Sequence, residues 1–327
     1  MSKYTIGIDL GGTTMTAGLV NEKFEVVGKV TWATRLPRPA QDLEKALADL
    51  CRTVARENKV DFADIRYVGI GTPGSVNFTT GFVGFNTNFG YYDWNLGPDM
   101  ESLLGCKVYV ENDANAAAIG EMTYGAARGM KDFIVITLGT GVGSGIVIGG
   151  NLVYGHDGFA GELGHVIMRR NNGRQCGCGR QGCLEAYASA TGVARTAREY
   201  LEIRKDESVL RDLDPDEITS KDVYDAAMKN DKIALEIFEA TGSMLGEAFA
   251  DFVAFSSPEA IILFGGLTKA GDLIMNPIKR SMEKNMLKVY AGKTKLLFSQ
   301  LKESDAAVLG ASALGWEVRD QSAGLEV

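Results

Sequence analysis

At 327 residues the chain is longer than one compact core usually holds, so two domains are expected. An apolar fraction of 45% and a charged fraction of 23% are those of an ordinary soluble globular protein. The formal net charge of −8, with no Lys/Arg run, argues against a broad nucleic-acid-binding face, and no nucleic-acid partner is expected.

The N-terminus, MSKYTIGIDL, has one Lys and then a strand-like run, without the apolar core and cleavage site of a secretory signal. The next two strands surround the glycine turn GGTT: MTAGLV returns from it and FEVVGKVTWAT follows. From Gln41 to Asn58, Leu43, Leu47, Leu50 and Val54 recur at three- and four-residue steps, which predicts an amphipathic helix. Cys51 lies beside that stripe and reads as a small core residue. YVGIGTPG and KVYVEND carry strand signals, and an alanine-rich helix opens near Asn112–Asp113.

The charge-free stretch from Phe133 to His156 is long enough to suggest a membrane span. Its glycines and β-branched residues instead predict strand, glycine turn, strand, which repeats the opening pattern. No membrane partner is expected, and the protein reads as cytoplasmic, in a reducing compartment where disulfides are disfavoured. Helices are predicted over Gly182–Lys205, Ser220–Asn230 and Ile233–Phe255. AIILFGGL is a buried strand ending in paired glycines, Pro277 suits the first turn of another helix, and ESDAAVLGASALGW closes the chain as a helix. The pattern is an α/β chain whose halves each begin with a glycine-turned hairpin, consistent with a diverged duplication.

Two turns have phosphate-binding chemistry. In DLGGTT, Gly11 and Gly12 let backbone N–H groups approach an anion, while Thr13 and Thr14 add hydroxyls. Asp9 suits Mg2+ or its bound water, because a bare carboxylate repels phosphate. Gly139, Thr140 and Gly141 in LGTGVGSG repeat the arrangement. Either turn could equally be structural. Strand-like IVIGGNLVYG follows the second turn where a dinucleotide fold needs a helix, and no GxxxxGK[ST] pattern is present. With the later pair Gly265 and Gly266 in LFGGL, the residues resemble the actin-like, sugar-kinase ATPase superfamily. That resemblance implies a two-lobed actin-like/sugar-kinase (ribonuclease H-like) fold with a ligand cleft between lobes. Residues 1–115 plus about 303–327 would form a smaller lobe closed by the C-terminal helix. Residues 116–302 would form the larger one, with the zinc site and nucleotide-binding elements.

GRQCGCGRQGCLE, from Gly173 to Glu185, places Cys176, Cys178 and Cys183 within eight residues. His165, one of only two histidines in the chain, lies upstream in GELGH. One imidazole and three thiolates are the donor set of a closed structural zinc site. Cys176-x-Cys178 does not match the Cys-x-x-Cys of thioredoxin-type redox chemistry. A segment so rich in Gly and Arg cannot order itself by apolar burial, so metal binding is expected to supply the folding free energy.

With DLGGTT, GTPG, VENDANAAA and LGTGVGSG, the string GELGH…GRQCGCGRQGCLEAYASATG resembles the ROK family of repressors and sugar kinases, from Ile6 to about Gly315. Its wording is most similar to the bacterial glucokinases. The resemblance implies ATP-dependent phosphorylation of a hexose 6-hydroxyl, most like D-glucose, with ATP, Mg2+ and structural Zn2+ as cofactors. It further implies Asp113 as the base and Asn112 as a hydroxyl-holding neighbour, although Asn or Asp here is also an ordinary N-cap. Glu162, His165 and Glu185 would contact sugar hydroxyls, His165 giving its other nitrogen to zinc, with Gly74 and Asn88 as further sugar-side candidates. The family's N-x-x-G-W pattern is replaced by NTNFGYYDWN, which sets Asn88 and Trp94 farther apart. N-acetylmannosamine, N-acetylglucosamine and fructose are alternative substrates. A sugar-responsive repressor is disfavoured, because only Met1–Lys3 precede the first strand. The family implies a homodimer or homotetramer.

Overall fold

The structure, a computed structural model, describes residues 4–86 and 89–315. Two compact units emerge: residues 1–130, 145–160 and 300–327 form one, and residues 131–144 and 161–299 the other.

The first unit is built on the sheet β3-β2-β1-β4-β8, with β1 Tyr4–Leu10, β2 Thr14–Asn21, β3 Val26–Ala33, β4 Ile65–Thr72 and β8 Lys107–Asn112. β1, β2 and β3 pair antiparallel, whereas β4 joins β1, and β8 joins β4, in parallel. Helix α1, Ala40–Glu57, lies against β2 and β3. Leu43, Leu47, Leu50, Cys51 and Val54 are all fully buried along its expected stripe. Each large aliphatic side chain there contributes about 1.5–3 kcal/mol of transfer free energy.

A hairpin sheet, β5 Ser75–Asn77, β6 Phe82–Asn86 and β7 Tyr91–Trp94, precedes α2, Leu96–Leu104. These short strands carry no clean alternation and were not legible in the sequence. Trp94 is buried and donates its indole N–H to the buried Glu44 of α1 at 2.5 Å, so it anchors the hairpin to the core. Asn88 lies outside the described residues.

Helix α3, Asp113–Tyr124, follows β8 directly and packs against the closing helix α9, Glu303–Ala313. That packing keeps α3 in the first unit, so the division falls at residues 130–131 rather than the 115–116 read from the sequence. α9 also lies directly on β1 and β4. A Cβ at Gly7 or Gly69 would meet the Val308 or Ala311 carbonyl oxygen at 2.0 or 1.9 Å, so only glycine permits this approach.

The second sheet runs β11-β10-β9-β12-β13, the same topology as the first, as a duplication requires. Its strands are β9 Phe133–Leu138, β10 Val142–Ile148, β11 Asn151–Leu152, β12 Ala260–Phe264 and β13 Lys295–Phe298. β10 carries the chain from the second unit into the first. The charge-free stretch is therefore strand, turn and strand, and no described helix is long and apolar enough to cross a membrane.

The predicted helix over Gly182–Lys205 is two helices, α4 Glu185–Ala188 and α5 Ala190–Ile203, broken at the extended Ser189. Ser189 Oγ accepts the Gly192 N–H at 3.0 Å and donates to the Glu185 carbonyl at 2.7 Å, capping one helix while closing the other. Residues α6 Ser220–Ala227, α7 Lys232–Ser256 and α8 Asp272–Asn285 complete the unit. Pro277 stands inside α8, not in its first turn as expected. There its ring packs on α7 where Gly242 makes room: a Cβ at Gly242 would meet Pro277 Cγ at 2.7 Å.

Candidate active site

In the first unit the candidate residues collect at the carboxyl ends of the parallel strands, where open α/β sheets bind ligands. Asp9 on β1 is paired in register with Gly71 on β4, and Gly71 with Glu111 on β8. Gly71 has no side chain to stand between Asp9 and the residues that follow β8. Asp113 opens α3, and its field reaches Asp9. Burial first, and Asp113 second, push the Asp9 carboxyl up to about 6.

The β1–β2 turn is closed by the Gly11 N–H on the Thr14 carbonyl at 2.9 Å. Buried Thr34 braces it from β3's end, donating Oγ1–H to the Gly11 carbonyl at 2.7 Å and N–H to the Thr13 carbonyl at 2.9 Å. Thr13 and Thr14 are exposed, with Gly11 and Gly12 half-buried.

Asn112 is the N-cap of α3. Its Oδ1 accepts the N–H groups of Ala114 and Asn115 at 3.0 and 3.3 Å, and its Nδ2 donates to the Gly74 carbonyl at 3.2 Å. The cap and the candidate position thus adjoin: Asn112 does the capping, which leaves Asp113 exposed as the next residue. Sequence reasoning missed Glu111, which is 1% exposed. Its Oε1 accepts from the Asn112 N–H at 2.8 Å and from Asn115 Nδ2 at 3.2 Å, while Oε2 accepts from Tyr154 Oη at 2.8 Å. This carboxylate, legible only as an acidic residue in a buried strand, holds the Asn112–Asp113 corner in place.

The raised Asp9 value has a defined consequence for the ligand-free protein. Between pH 3.8 and about 6 the unfolded chain has released this proton while the folded chain retains it, so stability falls as pH rises through that window. Ionising Asp9 costs the fold about 3 kcal/mol by pH 7. Asp9→Asn is expected to raise the urea midpoint at pH 7 and to shift it little near pH 4. Equal midpoints at pH 7 would contradict this account.

In the second unit, Gly139–Thr140–Gly141 links β9 to β10, with the Gly139 N–H on the Gly141 carbonyl at 3.0 Å. The pair Gly265–Gly266 follows β12, which lies parallel to β9 with Phe264 opposite Thr137. A Cβ at Gly265 would meet the Leu138 carbonyl oxygen at 2.6 Å, so this pair sits against the end of β9. The structure thus brings the second glycine turn and the late glycine pair together at the carboxyl ends of β9 and β12.

His165, Cys176, Cys178 and Cys183 also converge, each offering a ligand atom within 4.8 Å of the others. A zinc ion about 2.3 Å from sulfur and about 2.0–2.1 Å from nitrogen makes tetrahedral edges of about 3.6–3.8 Å. Cys178 and Cys183 Sγ are 3.7 Å apart, and Cys176 Sγ is 3.7 Å from His165 Nδ1, so the donors fit that ion. Burial, with the two neighbouring sulfurs adding to it against a backbone N–H of Cys178, pushes the Cys176 thiol up to about 12. Only a cation would hold all three as thiolates.

With Nδ1 on the cysteine side, His165 turns Nε2 toward Glu162, whose Oε2 is 4.0 Å away. Glu185 sends Oε1 to within 3.6 Å of Cys176 Sγ. The loop has a second anchor that the sequence reading missed. Arg174 lies over the Tyr187 ring at 4.5 Å and donates to the Ala186 carbonyl, Thr196 Oγ1 and Glu199 Oε2 at 3.1, 3.0 and 2.6 Å. Metal is therefore not the loop's only source of order, contrary to the expectation from its composition.

Matching five-stranded sheets, each with a glycine-turned hairpin, and a glycine pair after β12 define an α/β protein of the actin-like, sugar-kinase ATPase class. The ROK family model matches residues 5–317. The glucokinase of Thermotoga maritima is 38% identical over 94% of this chain and 96% of its own length. That of Halalkalibacterium halodurans is 37% identical over 99% and 97%. A crystal structure of a ROK family glucokinase from Streptomyces griseus, in complex with glucose and AMPPNP, superposes with a TM-score of 0.82 at 34% identity, covering 95% of this chain and 98% of that one. The chain belongs to the ROK family.

Proposed function

We propose that this protein is an ATP-dependent hexokinase that transfers the γ-phosphoryl group of ATP to the 6-hydroxyl of D-glucose, giving glucose 6-phosphate, ADP and a proton. The observation that carries this reading is similarity over nearly the whole chain to glucokinases, one of them holding glucose and an ATP analogue. In this reading Asp113 accepts the hydroxyl proton as the oxygen attacks, and its exposure at the first turn of α3 suits that task. Asn112, its oxygen committed to the cap and one amide hydrogen to the Gly74 carbonyl, has a second amide hydrogen to orient a neighbouring hydroxyl. Gly74, whose carbonyl holds that amide, shapes the same corner.

Glu162, His165 Nε2 and Glu185 are the donors and acceptors for the remaining ring hydroxyls. The N–H groups and hydroxyls of Gly11–Thr14 and of Gly139–Gly141 neutralise phosphate oxygens. Gly265 and Gly266 receive the adenosine, because bare backbone lets a flat ring approach. Asp9 would hold Mg2+ or its bound water, and the cation would supply charge screening for the phosphates. Zn2+ on His165, Cys176, Cys178 and Cys183 would have all four positions filled by protein and so supply structure rather than Lewis-acid chemistry.

Cytoplasmic residence, expected from the sequence, and a homodimeric or homotetrameric state, a family expectation, belong to the same proposal. An ATP-consumption assay with glucose, N-acetylmannosamine, N-acetylglucosamine and fructose tests it. Glucose is expected to give kcat/KM at least about tenfold above the others, a difference of about 1.4 kcal/mol in transition-state binding. A higher value for another hexose would reassign the substrate; no turnover with any would overturn the kinase reading.

A further inference from the structure

Glu185 stands two residues after Cys183 and begins α4. Its two carboxylate oxygens serve different structures. Oε1 lies 3.6 Å from Cys176 Sγ, at the edge of the metal-ligand cluster. Oε2 accepts the backbone N–H of Val142 at 2.9 Å. Val142 is the residue immediately after the Gly139–Thr140–Gly141 turn. A Cβ on Gly141 would lie 2.3 Å from Glu185 Oε2, so the turn carries a glycine where the carboxylate passes.

Two further bonds reach the same turn from the start of α5. The Ala190 N–H donates to the Gly139 carbonyl at 2.8 Å, and Thr191 Oγ1 donates to the Thr140 carbonyl at 2.9 Å. The turn is thus held at Gly139, at Thr140 and, just past Gly141, at Val142 by the helix pair that leaves the cysteine loop. Backbone N–H groups stabilise an anion well only when held in place before it arrives.

We propose that Glu185 is a positioning residue for the nucleotide-phosphate turn as well as a sugar ligand, and that through it the Cys3His cluster sets the geometry of nucleotide binding. This rests on reading Gly139–Gly141 as a phosphate-binding turn. Because one carboxylate serves a sugar hydroxyl and the Val142 N–H, sugar and nucleotide affinities are coupled, and by linkage the coupling is reciprocal.

Calorimetry on the zinc-loaded full chain tests it, with ADP and Mg2+ titrated without sugar and glucose titrated without nucleotide. Glu185→Gln retains a carbonyl oxygen for Val142, so ADP affinity should stay within about twofold while glucose affinity falls. Glu185→Ala removes that acceptor and should weaken ADP about tenfold. Thr191→Val, which removes the tether on Thr140 together with a 2.9 Å hydroxyl contact to Ser189 Oγ, should weaken ADP about threefold and leave glucose affinity unchanged. Unaltered ADP affinity in both Glu185→Ala and Thr191→Val would overturn the proposal. Equal loss in the Gln and Ala variants would also overturn it, by assigning the effect to charge. Wild-type protein that fails to bind ADP would instead refute the phosphate-turn reading, before any variant is compared.

Discussion

Asp113→Asn is expected to lower kcat by about 10²–10⁴-fold while leaving glucose affinity within a few-fold of wild type. The substitution is close to isosteric. The cap of α3 comes from Asn112, and the Ala114 N–H that Asp113 Oδ1 accepts at 2.8 Å can be accepted equally by an amide oxygen. What an amide cannot do is take the hydroxyl proton. The loss should therefore appear in kcat rather than in sugar binding, measured by steady-state kinetics beside calorimetric titration of glucose. Near-normal turnover would remove Asp113 from the role of base. Removal of the Asp113 charge should also relieve the Asp9 carboxyl of its second source of elevation, leaving burial as the main one.

Removing zinc should be nearly as damaging, by a different route. Metal analysis is expected to find about one zinc per chain in protein purified without chelators. Stripping it, or replacing Cys183 with Ser, should lower kcat/KM for glucose by about 10–100-fold, a size familiar when the support of a ligating or binding group is lost. Three buried or crowded thiols and one imidazole cannot keep their arrangement without the cation, and His165 and Glu185 would lose their orientation together. The damage should stay local. Arg174 stays bonded to Ala186, Thr196 and Glu199, so far-UV circular dichroism should change little while sugar affinity collapses. Active protein free of zinc would refute the site. Global unfolding on chelation would show that the Arg174 anchor is too weak to hold the loop.

Much of the candidate site was legible because its signals are local. A glycine turn between two β-branched runs, an Asn before an alanine-rich helix, and three thiols spaced by glycine each declare their chemistry within about ten residues. The fold class was legible for the same reason, since the strand–turn–strand pattern recurs in both halves. The division at residue 115 differs from that of the compact units, and Pro277 was misplaced, because both depend on which helix packs on which. Nothing in the strand-like residues 75–94 announced a separate hairpin sheet, and nothing near Trp94 pointed to Glu44.

The sequence by itself determined most of the elements, the glycine turns and the candidate metal donors, because backbone preference and ligand chemistry belong to single residues and their near neighbours. Tertiary structure alone decided that Asp9 feels Asp113 across Gly71, that Glu111 and Tyr154 brace the Asn112–Asp113 corner, and that Glu185 closes on Val142. Parallel strand register and the break at Ser189 set those contacts. They join residues tens of positions apart, through pairings that no periodicity along the chain can encode.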